Sequence, residues 1–154
     1  MRALRDRATA LGRETGGSVL IETSLALLIA MPLFFAVFEL CMFTYTQSVL
    51  GDAAREGVRY AIVHGSDSPA CSGPSVGCAD QSGANVVSLV QNYAAQFLKT
   101  PGGLTISVSY PDSSAAPQSR VGVTVTYHYS PFFQSNVSST QIPMYATGEG
   151  RIVF

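Results

Sequence analysis

Glu22 is the residue of this chain that most needs a chemical explanation. It is a carboxylate four residues into an apolar run, and residues 23–38 after it contain no charge, two hydroxyl side chains, Thr23 and Ser24, and one proline. An unpaired acid in lipid costs on the order of 3 kcal/mol on insertion scales. Glu22 must therefore find a cation or reach the headgroups. The thiols of Cys71 and Cys78 are the other reactive pair, close enough in sequence to form a disulfide in an exported domain. Closing so short a ring contributes roughly 2.5 kcal/mol by loop-closure entropy. A zinc site there would need two more ligands, and the nearby His64 and Asp67 form no recognised pattern. Cys41 reads as a small buried hydrophobe. The two histidines, His64 and His128, accompany no nucleophile elbow, metal motif or phosphate loop. The residue types thus argue against an enzyme, with no catalytic residue, no metal and no cofactor expected.

The element that must position Glu22 is the apolar helix around it. Ser18 to Glu39 spans about 32 Å at helical rise, against a hydrocarbon layer of roughly 30 Å, so one membrane crossing fits. Glu39 then falls at the far interface with Phe43 and Tyr45 as headgroup-level aromatics. Glu22 lies only about 6 Å along the axis from Ser18. Arg2, Arg5, Arg7 and Arg13 precede the span, whereas Arg55 and Arg59 are the only basic residues soon after it. This asymmetry predicts a cytoplasmic amino terminus and an exported remainder. A cleaved secretory signal fits less well, because the apolar stretch exceeds the usual h-region and no small-x-small site follows it. Residues 1–17, rich in Arg and Gly and without a sustained apolar face, read as a disordered leader. Pro32 predicts a kink that a membrane helix tolerates.

Gly17, four uncharged residues and then Glu22 opening the apolar helix resemble the prepilin peptidase site of type IV pilin-like precursors. That resemblance implies cutting between Gly17 and Ser18. The new ammonium at Ser18 would then be neutralised by Glu22 in the same or a neighbouring subunit. The residues alone also fit an ordinary anchor whose acid reaches the headgroups. The run at 52–65, DAAREGVRYAIVHG, closely resembles the signature of TadE-like proteins, minor pilin components of tight-adherence (Flp) pilus systems. The resemblance is strong from residue 17 to about residue 65 and holds only in outline beyond. Thr23 stands where Flp major pilins usually have tyrosine, which argues against the major subunit.

For function, the resemblance implies a membrane-anchored minor pilin or pseudopilin in the bacterial inner membrane. Gly17 and Ser18 would be the processing pair, Glu22 the registration charge and residues 25–38 the packing surface. Other pilins, prepilin peptidase, the inner-membrane assembly platform and the lipid bilayer would be the partners. Two alternatives stand beside it: a type II secretion pseudopilin, and a single-pass tethered binding module that never assembles.

The 154 residues carry a formal charge of -1, and the arginines of the leader make the rest of the chain more negative still. No nucleic-acid partner is indicated. The organisation expected is a leader at 1–17, a membrane helix at 18–45 and an exported domain at 46–154. Beyond the bilayer, Leu50, Ala53, Ala54, Gly57, Val58, Ala61 and Ile62 form one helical stripe, so anchor and stalk can be one helix. Asp52 with Arg55 and Glu56 with Arg59 are charge pairs on its other faces. Residues 65–83 are a Gly, Ser and Pro-rich loop, and 84–99 repeat apolar residues at helical steps. The period then switches to two over 104–110, 121–129 and a third run from 142, in which Gly148 and Gly150 suggest a bulge or bend. The 111–119 connection reads as plain turn chemistry. In the 130–140 connection Phe132 and Phe133 cap the core or form a contact, and Asn136-Val137-Ser138 is a formal glycosylation sequon. The fold class expected is α+β: a long amino-terminal membrane-plus-amphipathic helix, a second helix and a three-stranded antiparallel sheet.

Overall fold

A computed structural model describes residues 2–98, 103–132 and 141–153, with side chains described from Gly17 onward. The fold is α+β. Helix α1 (Arg2–Val63) is followed by α2 (Ala84–Phe97) and by strands β1 (Leu104–Ser109), β2 (Arg120–Tyr129) and β3 (Ile142–Arg151). The strands form one antiparallel sheet in the order β1-β2-β3.

The backbone of α1 is helical from Arg2, where composition predicted a disordered leader. Ala, Leu and Arg dominate that leader, and it contains no proline. Good helix formers added to an existing helix incur no nucleation cost. Pro32 lies inside α1 without ending it. By contacts the chain divides into two compact units, one reaching Leu40 and the other starting at Cys41.

The core of the second unit forms where the predicted stripe meets the sheet. Leu50, Ala53, Ala54, Val58 and Ala61 of α1 are buried together with Val86, Val90 and Ala94 of α2 and Val121, Val123 and Val125 of β2. The even residues of β1 are half-buried on the same face, and Thr105, Ser107 and Ser109 point outward. The period-two pattern therefore reports which side of the sheet the helices cover. The charge pairs also form on the outer face of α1, Arg55 to Asp52 at 3.4 Å and Arg59 to Glu56 at 3.5 Å. Exposed pairs of this kind contribute little.

Gly148 and Gly150 make neither bulge nor bend. β2 and β3 pair without interruption from Arg120↔Arg151 to Tyr129↔Ile142. The glycines serve helix approach: a Cβ at Gly148 would lie 3.0 Å from Val58 Cγ2 and 3.1 Å from the carbonyl oxygen of Ala54. At Gly57 a Cβ would meet Val90 and Val123 side chains in the same way. Gly148→Val is expected to destabilise the full chain by about 2 kcal/mol, because backbone cannot yield as a side-chain tip can. Gly51→Ala, with nothing within 4 Å of the new methyl, should instead raise the thermal midpoint in detergent.

Candidate functional site

Ser18 and Glu22 are one helical turn apart on α1 and share a face. Both are exposed, and Gly17 before them has nothing within 4 Å of where a Cβ would stand. Glu22 is absent from the ion pairs among the described residues. The hydroxyls beside it are satisfied within the helix. Thr23 Oγ1 donates to the Val19 and Leu20 carbonyls at 2.9 and 3.0 Å, and Ser24 Oγ donates to that of Leu20 at 2.7 Å. Such back-bonding lets hydroxyls enter lipid without an unmet donor. Every large apolar side chain from residue 19 to 40 is at least 40% exposed, so this stretch has no cover from its own fold. Within α1, Gly17–Val63 is long and apolar enough to cross a membrane.

The predicted packing surface at 25–38 is part of this exposed stretch. Cys41 corrects its expectation. It is a free, exposed thiol rather than a buried hydrophobe, because burial of α1 sets in only from Thr46, Val49 and Leu50. Phe132 is exposed as well, while Phe133, Asn136, Val137 and Ser138 lie outside the described residues. His128 is exposed on the sheet, and His64 stacks on Tyr60 with ring centroids 3.9 Å apart.

Residues 17–59 match the family described as TadE-like protein. Over this segment the chain is similar to TadE-like proteins. The match starts at Gly17, takes in Ser18, Glu22 and the whole apolar run, and ends on the amphipathic part of α1. It stops short of α2 and the sheet. Comparison with curated proteins and with solved structures finds no match.

Outside the TadE-like segment the structure assembles a polar cluster that sequence reasoning missed. Cys71 and Cys78 form a disulfide, with Cα atoms 5.2 Å apart. The ring sets Ser72 beside Asp80, where Ser72 Oγ donates to the carboxylate at 2.6 Å. Asp80 also accepts from the Ala84 and Asn85 backbone N–H groups at 2.9 and 2.8 Å and from Ser82 Oγ at 3.0 Å. It thereby caps α2 in place of Gly83, which has no side chain to do so. Tyr110 closes the cluster by donating its hydroxyl to the Ser72 carbonyl at 3.1 Å. The sequence signals were the two cysteines expected to close the loop and an acid shortly before a helical pattern. The 111–119 connection is likewise more than a turn. Ala115 is fully buried, its N–H bonds Ser75 Oγ at 3.1 Å, and Asp112 holds the Arg120 guanidinium at 2.9 Å.

Burial by itself would raise the Asp80 carboxyl, but the bonds it accepts from Asn85, Ser72, Ala84 and Ser82 outweigh this and hold it well below the usual carboxylate range. A carboxyl lowered in the native state stabilises fully above its unfolded value and loses that contribution as the pH falls toward the native one. The wild-type melting midpoint should therefore decline as the pH drops below about 4, and Asp80→Asn should flatten that decline. Asp80→Ala is expected to cost about 2 kcal/mol at neutral pH, read by chemical denaturation of the oxidised chain.

Proposed function

We propose that this chain is a membrane-anchored minor pilin or pseudopilin that takes part in assembling a tight-adherence, type IV-like pilus. The supporting observation is the TadE-like segment at 17–59, which joins an acid-bearing apolar stretch to the amphipathic part of α1 within one element. An uncovered apolar surface of that size needs lipid or the matching surfaces of other subunits around it. Both occupants suit a subunit that waits in the inner membrane, amino terminus inward, and then enters a filament through the assembly platform.

In this reading prepilin peptidase cuts between Gly17 and Ser18. A protease acts on extended backbone, so α1 must open there first. Gly16 and Gly17 are where opening is easiest, since each glycine costs a helix about 1 kcal/mol relative to alanine. The cut converts an uncharged amide into the ammonium of Ser18. Glu22, one turn on and on the same face, has a side chain that leans toward the amino terminus as helical side chains do. Its carboxylate can neutralise that ammonium in its own subunit, or the ammonium of a neighbour and so set the axial register between subunits.

Mass spectrometry of the native protein from its membrane should find Ser18 as the first residue; an intact Met1 would refute the processing step. Glu22→Ala should insert into the membrane at the wild-type level while losing its incorporation into surface pili. Glu22→Gln should do the same, because the side chain's size is kept and only the charge is gone. Undiminished piliation by both variants would rule out registration by this acid.

A further inference from the structure

Within the unit that starts at Cys41, the described Asp, Glu and Arg residues all lie away from one end, and that end carries a group of exposed aromatic and aliphatic side chains. A ladder of contacts fixes which end is which. The Phe43 ring meets the Tyr129 ring edge-on at 5.8 Å, and Gln47 Nε2 donates to the Tyr145 carbonyl at 3.0 Å. Farther along, Gly148 sits beside Ala54, and the Val153 N–H donates to the Ile62 carbonyl at 3.0 Å. β3 therefore runs with α1, and because Ile142 pairs with Tyr129, the end of β2 and the start of β3 lie where α1 enters the unit. Residues 41–51, 129–132 and 141–148 at this end contain no Asp, Glu, Lys or Arg. The described charges begin at Asp52 on α1 and occupy the other ends of the strands, at Arg120, Glu149 and Arg151. Lys99 lies outside the described residues.

The same charge-free end carries exposed aromatic and aliphatic side chains: Tyr145 at 71%, Phe132 at 59%, Tyr45 at 50% and Ile142 at 38%. They come from three separate stretches of chain. We infer that this end of the exported domain is a foot that rests on the bilayer surface, with Tyr45, Phe132, Ile142 and Tyr145 in the headgroup layer. The inference rests on the membrane-anchor reading of α1 and uses nothing of the pilus assignment.

The bilayer is the occupant because α1 leaves the unit through this end and continues directly into its uncovered apolar stretch. The lipid surface consequently reaches these side chains whether or not another subunit is present. Depth agrees as well. Phe43 to Gln47, the stretch of α1 facing Tyr129 and Tyr145, spans about 6 Å along the axis, and the headgroup layer on each side of the hydrocarbon is about 5 to 7 Å thick. Tyrosines favour that layer, since the ring is apolar and the hydroxyl stays wet. The foot gives the domain a second attachment to the membrane, which must be peeled away before the domain can move outward.

The chain has no tryptophan, so one introduced indole reports from one place. Phe132→Trp, Ile142→Trp and Tyr145→Trp would each be made in the full chain and reconstituted into phosphatidylcholine vesicles with brominated acyl chains. Leu28→Trp would serve as the reference in the anchor, and Val76→Trp, a fully exposed position in the disulfide loop, as the reference in water. Bromine near the carbonyl end of the chains should cause loss of emission at 132, 142 and 145, mid-chain bromine at 28, and neither at 76. If 28 is quenched while 132, 142 and 145 emit like 76, the foot is refuted and the anchor stands. Shielding of the three from aqueous iodide without quenching by bromine would mean that another subunit covers this end, which also overturns the inference. An unquenched 28 would remove the anchor itself and the foot with it.

Discussion

Ala53, Ala54 and Gly57 leave the backbone of α1 almost bare along one side, and Gly148 on β3 presents no side chain against it. Helix and strand therefore approach so closely that an added methyl would stand 3.1 Å from a carbonyl oxygen. Around this contact the larger groups fill in: Leu50 from α1, Val86 and Val90 from α2, Val121, Val123 and Val125 from β2, all essentially inaccessible to water. Interiors packed to this degree do not deform continuously. The carboxy-terminal half of α1 is thus a structural member of the domain, and the position of every strand is referred to it.

The same helix serves two surroundings. From Ser18 to Leu40 it has the composition of a membrane span, and the Thr23 and Ser24 hydroxyls are returned to its own carbonyls. From Cys41 on it has one buried face and, past Asp52, a second face of short-range ion pairs. No sequence breaker separates the two regimes; only the surroundings change, from an exposed apolar stretch to the chain's own sheet. A uniform helix can cross that boundary because its backbone hydrogen bonds are internal and ask nothing of the solvent.

At the far end of the domain the ends of α1 and β1 and the start of α2 are tied together by polar groups as well as by apolar packing. Cys71 and Cys78 shorten the loop, Ser72 and Asp80 bridge it, and the carboxylate caps the next helix. Each bond is local, but together they order a Gly, Ser and Pro-rich segment that has little apolar surface to bury.

Much of this was readable along the chain. An uncharged run of membrane length, a stripe at steps of three and four and a switch to period two are one-dimensional patterns imposed by helix rise, helix turn and strand pleat, so the sequence by itself determined the elements, their order and their apolar faces. The TadE-like stretch was legible for the same reason, since Gly17, Glu22 and the AAREG run are contiguous. What only the tertiary structure decided depends on distances across the fold. Gly148 looked like a bulge until α1 was seen above it, Asp80 had no role until the disulfide loop and α2 met around it, and Cys41 looked like core until burial was found to start several residues later. The apolar foot is of the same kind: its side chains come from three stretches far apart in sequence, and only the antiparallel register that sets Ile142 beside Tyr129, with Phe43 against that ring, makes them neighbours.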